Sequence, residues 1–181
     1  MKLYTTIPDV DCTALVTETN NFLSSQSVNS GGSLEFYQFP PGIVESLVYQ
    51  IPSLFTTFVD KNLTIKSAVI VTMPAGYTEN DNLRILGEET LLCIPLAMNA
   101  GVTITFFNEA ENAELFTEFQ EGGMMFSYYN RSDCVQADVY EHQLGVGVLL
   151  NKNIIMQVGN NTDRAVFLNV GFNEDLSSYF A

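Results

Sequence analysis

The chain has 181 residues, of which 46% are apolar and 12% aromatic. That is enough to bury one core, and it excludes an intrinsically disordered chain. Asp and Glu number 21 against 7 Lys and Arg, for a net charge of −14, a balance that repels phosphate backbones and anionic lipid and so argues against nucleic-acid or membrane-surface binding. The acids are scattered rather than patterned, which disfavours a nucleic-acid mimic.

In chain order, residues 9–25 read as a helix, with Asp9 or Asp11 at its start and Leu15, Phe22 and Leu23 on one face. The polar stretch 24–33 is a break. Residues 34–39 (LEFYQF) suit a short edge strand, closed by Pro40 and Pro41 because proline cannot donate to a ladder. Pro41 also suits the first turn of a helix carrying Val44, Leu47, Val48 and Ile51. Pro52 ends that helix, and Ser53 can cap a further short one through Phe58. From residue 64 the period becomes that of strands: 64–73, 90–98, 102–108, 124–130, 134–142, 145–151, 153–158 and 165–172. Asn- and Gly-bearing turns join them. Eight short strands at this spacing predict a sandwich or barrel, with two or three N-terminal helices over one outer face. No repeat or linker divides the chain, so 1–181 is expected to be one domain, with a helical cover at 1–60 and a β core at 64–172.

Little in the sequence has the spacing of a catalytic set. Cys12, Cys93 and Cys134 are far apart and lack any C-x-x-C spacing, so buried thiols are expected. Asn62, Asn130 and Asn160 carry the Asn-x-Ser/Thr pattern and read as loop residues. His142 is the only histidine, and its place beside Glu141, ahead of a glycine-bearing turn, reads as a surface or turn position. Gly145-Val146-Gly147 opens no helix and is no phosphate loop. Glu88 and Glu89 are adjacent, and on a strand would point to opposite faces. The cluster Glu109, Glu111, Glu114, Glu118 and Glu121 reads as one solvated helix face. The start MKLYTTIPDVD has no apolar signal region, and no run reaches the roughly 18 apolar residues of a membrane span.

The stretch 149–172, LLNKNIIMQVGNNTDRAVFLNVGF, together with 69–76 and 89–108, resembles the iron- and 2-oxoglutarate-dependent oxygenase-like jelly rolls of phage and marine microbial genomes. The resemblance covers roughly residues 64–172. It implies a mainly β fold: a double-stranded β-helix, or cupin-like jelly roll, with the N-terminal helices packed on one sheet. It also implies a His-x-Asp pair of iron ligands between the upstream strands, a distal histidine, and an arginine for the 2-oxoglutarate carboxylate. The first interval, 77–89, has no histidine, and its best-placed carboxylates are Glu79 and Asp81. The distal position falls on Met156, and the arginine on Arg164. A thioether does not replace imidazole for Fe(II).

The resulting expectation is a jelly roll without its metal: no cofactor, not an enzyme, and a remnant pocket at Asp81, Met156 and Arg164 with Ile154 and Val158 on the same strand face as Met156. Its expected role is a protein-interaction or structural module, phage-virion-associated or capsid-decorating, in the virion or host cytoplasm. Protein partners would contact the acidic loops at 77–89 and 109–123, through Glu79, Asp81, Glu109, Glu111 and Glu114. The alternatives are an oxygenase or small-molecule binder that uses the pocket, and an acidic regulator of a host enzyme.

Overall fold

The computed structural model describes residues 2–27, 33–51, 53, 63–77, 82–87, 89–99, 101–119, 125–159 and 163–181. The elements are β1 (Tyr4–Ile7), α1 (Thr13–Ser24), β2 (Glu35–Gln38), α2 (Pro41–Val48), β3 (Ile65–Met73), β4 (Asn82–Ile85) and β5 (Leu91–Ala97). They continue with β6 (Thr103–Glu109), β7 (Leu115–Phe119), β8 (Met125–Asn130), β9 (Cys134–Glu141), β10 (Gly147–Leu150), β11 (Ile155–Gly159) and β12 (Ala165–Phe172). Two six-stranded antiparallel sheets result, ordered β1-β10-β5-β12-β3-β2 and β7-β8-β4-β11-β6-β9. Consecutive core strands alternate between the sheets from β3 to β6 and from β9 to β12, which is the jelly-roll path; β7 and β8 are an added hairpin on the second sheet.

The first sheet is buried on both faces, and this explains its near-continuous apolar sequence. One residue set, including Ala68, Ile70, Leu92, Ile94, Leu149, Leu168 and Val170, packs under Leu15, Val44 and Val48 of the two helices. The alternate set, Val71, Met73, Cys93, Val148, Leu150, Ala165 and Phe167, faces Ile104, Phe106, Ile154 and Met156 of the second sheet. A smaller cluster of Leu83, Phe107, Cys134 and Ile155 lies on the far side of the second sheet. The helices therefore cover one sheet, as expected. At the start of α1, Asp11 Oδ1 accepts hydrogen bonds from the Thr13 amide (3.0 Å) and hydroxyl (2.6 Å), while Asp9 has a positive φ of 58°.

Three strands depart from the sequence reading. β1 pairs with β10 from Tyr4↔Leu150 to Ile7↔Gly147, and it extends the helix-covered sheet. β4 lies inside the interval 77–89 expected to be a loop. The acidic stretch forms a turn followed by β7, which pairs with β8 from Leu115↔Tyr129 to Phe119↔Met125, so Glu109, Glu111, Glu114 and Glu118 share no helix face; Glu121 lies outside the described residues. β8 offers this stretch a ladder, and that pairing overrides the local reading. The proposed short helix from Ser53 to Phe58 lies outside the described residues, apart from Ser53 itself. Among the described residues, no helix is long and apolar enough to cross a membrane.

Asn151, 2% exposed, fastens β1 to the end of β10. Its Nδ2 donates to the Lys2 carbonyl (3.0 Å), its Oδ1 accepts from the Lys152 amide (2.9 Å), and its own amide donates to the Leu3 carbonyl (2.9 Å). Asn151→Ala removes both side-chain bonds and is expected to cost about 1–2 kcal/mol. Chemical denaturation would measure that loss, and faster amide exchange confined to residues 4–7 would locate it. An unchanged midpoint would show that Asn151 does not hold the strand.

Candidate functional site

Strand alternation sets the site. On β4, Leu83 turns to the outer cluster, so Arg84 turns inward between the sheets. Arg84 is 7% exposed, and it is the only buried Lys or Arg among the described residues. Its cross-strand neighbours are Met156 on β11 and Tyr128 on β8. The guanidinium carbon lies 4.4 Å from the Phe126 ring centroid and 5.8 Å from that of Phe36. Phe36 comes from β2 and Phe126 from β8, with ring centroids 5.6 Å apart, so aromatics from both sheets meet beside the arginine.

Two adjoining cavities open here. The outer one is about 370 Å³, and its wall includes Ser67, Leu86, Phe126 and Ser127. The inner one is about 60 Å³ and reaches Cys93, Ile104, His142 and Phe167. Both share Phe36, Val71, Arg84, Leu91, Met156 and Asn169. No Asp or Glu lines either cavity among the described residues. In a chain of net charge −14, the pocket wall thus carries a single fixed positive charge.

His142 corrects the sequence reading. It is 3% exposed, not a surface residue, and lines the inner cavity. Its backbone amide bonds the Val102 carbonyl (2.9 Å), which draws the end of β9 inward. Its ring packs edge-on to Tyr140 at 5.3 Å and against Phe167 at 4.9 Å. Burial lowers its pKa to about 4, so the imidazole is neutral at pH 7. Burial likewise pushes the Cys93 thiol and the Tyr140 phenol up to about 12. His142 Nδ1, Tyr140 Oη and Asn169 Oδ1 are buried with no hydrogen-bond partner among the described residues. Such atoms are uncommon in folded proteins, and two of the three belong to residues on the inner cavity wall.

The sequence-derived residues are placed as follows. Met156 lines both cavities, with Ile154 in the same inter-sheet cluster and Val158 on the inner wall. Arg164 is exposed and lines neither cavity; its charge acts instead on the Tyr37 phenol. Asp81 and Glu79 lie outside the described residues. Glu109, Glu111 and Glu114 are exposed around β6 and β7, and Glu109 accepts a hydrogen bond from the Tyr129 hydroxyl (2.7 Å). Glu89 pairs with Lys66 at the surface. Arg84, His142 and Asn169, which carry the polarity of the pocket, were not singled out by sequence as a site.

Iron does not fit the described residues. Met156 holds the position that the resemblance gives to a histidine ligand, and its neighbour across the β4–β11 ladder is Arg84, a permanent cation that repels a dication. Among the described residues, no three His, Cys, Asp or Glu side chains converge as a metal site.

No protein-family model matches the chain, and neither does any curated protein. Its fold does match solved structures. A 2OG-Fe(II) oxygenase family oxidoreductase from Burkholderia pseudomallei has a TM-score of 0.58 at 8% identity, over 93% of this chain and 83% of that one. The non-heme alpha-ketoglutarate-dependent epimerase SnoN of nogalamycin biosynthesis has a TM-score of 0.56 at 10% identity, over 96% and 78%. The carbocyclase SnoK of the same biosynthesis has a TM-score of 0.54 at 13% identity, over 94% and 79%. At such identities the likeness shows the fold, the oxygenase-type jelly roll. The expectation that the chain is not an enzyme is corrected by these structures: its fold is that of an oxygenase, an epimerase and a carbocyclase over more than nine-tenths of its length. That expectation also rested on a surface position for His142, which the structure removes. The expected virion or capsid role draws no support from them.

Proposed function

We propose that the chain takes a small organic molecule into the pocket between its sheets, as an oxygenase-type jelly roll rather than a virion-structural module. The observation that carries this reading is the cavity of about 370 Å³ with a buried arginine on its wall. That volume lies in the range of small-molecule sites, and mostly apolar walls with a few convergent polar groups are their usual make-up. Phe36, Phe126, Val71 and Leu91 supply apolar contact, Asn169 Oδ1 offers an acceptor, and Arg84 places a positive charge on the wall. The neutral imidazole of His142, at the inner end, can give or take a hydrogen bond without bringing a second charge. Bound iron would add redox and Lewis-acid chemistry, but the described residues do not hold it, and the roles of the pocket side chains follow without it.

Thermal denaturation of the purified chain with a panel of small organic acids, alcohols and amides, 2-oxoglutarate among them, tests this reading. A ligand at about a hundredfold its Kd adds about 2.7 kcal/mol, which for a chain of this size is a Tm rise of roughly 5–10 °C. Ser127→Trp, which fills the outer cavity from a half-buried position, should abolish the shift. A panel in which no compound shifts the wild-type chain would defeat the proposal.

A further inference from the structure

Resting on that reading, we infer that the pocket selects an uncharged alcohol with an apolar body, whose hydroxyl sits in the inner cavity between His142 and Asn169. Both side chains line that cavity, and each buries a polar atom, Nδ1 and Oδ1, that has no hydrogen-bond partner among the described residues.

Three observations converge on that class. The first is placement. Asn169 and Phe167 stand two apart on β12 and so share its inward face. The Phe167 ring lies 4.9 Å from the imidazole of His142, which comes from the end of β9 on the other sheet. Asn169 also lines the outer cavity, so it stands where the two cavities meet. The inner cavity, about 60 Å³, is well below the ~150 Å³ that holds a benzene ring. It takes a head group, and the apolar body is left against Phe36 and Phe126 in the outer one. The second observation is what the open atoms need. An amide oxygen only accepts, so Asn169 Oδ1 requires a donor, while a neutral imidazole carries one N–H and one lone pair. A hydroxyl does both: its proton goes to Oδ1 and its oxygen accepts from the imidazole N–H. An ether or ketone has no proton to give, and it would displace water from these atoms without replacing the bonds. The third is charge. His142 is uncharged at pH 7, and Arg84 on the same wall already has a partner within the chain, so the polar atoms left open are neutral ones. An ammonium group finds no Asp or Glu among the described residues of either wall. A carboxylate approaches against a net charge of −14 and would lose its water beside Ile104, Leu150 and Phe167. An uncharged hydroxyl escapes both costs.

The test uses 2-phenylethanol, its methyl ether, phenylacetate and 2-phenylethylamine, which share one ring and differ at the head. Calorimetric titration of the wild-type chain near pH 7 should show the alcohol binding at least tenfold more tightly than each of the other three. Asn169→Leu keeps a similar side-chain volume and removes the acceptor. It should weaken the alcohol at least tenfold, leave the ether unchanged or tighter, and leave the unliganded Tm unchanged or higher, because a buried unpaired oxygen is gone. A merely structural role for Asn169 would do the reverse, lowering the Tm and weakening both ligands alike. His142→Phe should likewise bring the alcohol and the ether together. The wild-type comparison stands even if a variant does not fold. Ether binding as tight as the alcohol's, tighter binding of either ion, or an alcohol preference that survives in folded Asn169→Leu would each overturn the inference and leave the pocket reading intact. Silence from all four compounds overturns it too, and the thermal-denaturation panel then decides the pocket reading separately.

Discussion

Replacing Phe106 by alanine is expected to lower the stability of the chain by about 3–5 kcal/mol, the usual loss for truncating a fully buried phenylalanine. Phe106 is 0% exposed, on β6, with Met156 and Asp138 as its ladder partners. It is part of the cluster that joins the two sheets. Its ring stacks on Tyr4 at 5.2 Å with planes 11° apart, and Tyr4 in turn meets Tyr140 at 5.0 Å. The substitution therefore opens a void between the sheets and also removes the aromatic seat of β1. Denaturant unfolding would show a lower midpoint with little change in slope. A loss below about 1 kcal/mol would mean that the sheets do not pack through this residue.

Acidification should destabilise the fold through His142. The folded-state pKa, about 4, lies below the ordinary 6.5 because the ring is buried. Between those values the unfolded chain binds a proton that the folded chain refuses, so stability rises with pH across this window. The contribution is fully present above about pH 6.5 and is lost as pH falls through about 4. Its size is on the order of 3 kcal/mol, since each unit of pKa difference corresponds to about 1.4 kcal/mol. His142→Phe keeps an aromatic ring between Tyr140 and Phe167 and has nothing to titrate. Unfolding measured at near-neutral pH and again near pH 4.5 should show the wild-type chain losing roughly 2–3 kcal/mol more than the variant. Parallel losses in the two proteins would show that His142 is not buried in a neutral form.

The strands of the first sheet were legible because they are buried twice. Both faces of β3, β5 and β12 meet apolar layers, so their sequences are apolar almost throughout and cannot pass for helix surface or loop. β1, β4 and β7 were not legible, each for its own reason. β1 is four residues long and acquires its meaning only from β10, far along the chain. β4 reads NLRI, and a central arginine argues for solvent unless the cavity beneath it is known. β7 begins just after Glu114 and includes Glu118, and its sequence LFTEF does not alternate, so charge outweighed what strand signal it carries. The site followed the same pattern. Met156 was reachable through the wording of its strand and turn, and it does line the cavities. Arg84 and His142 were not, because a charged residue in a short strand and a histidine before a turn both look solvated in one dimension. It takes Phe126 and Phe36 around the first, and Tyr140 and Phe167 around the second, to show that they are enclosed.

The pairing of β1 with β10 has a consequence during synthesis. When Tyr4 leaves the ribosome, its ladder partner, Leu150, is not yet made. At roughly 5–20 residues per second, translation takes on the order of 7–30 s to supply that partner. β3 waits similarly, since its partner β12 spans Ala165–Phe172. Architectures closed by such distant strand pairs fold slowly, because chain-closure entropy must be met before the contacts that reward it. The segment 65–73 can pair with β2, which is already made, but the edge that β12 takes stays open to any other extended chain nearby until β12 emerges. Fast, high-level expression is therefore expected to send the protein into inclusion bodies more readily than slow expression at low temperature.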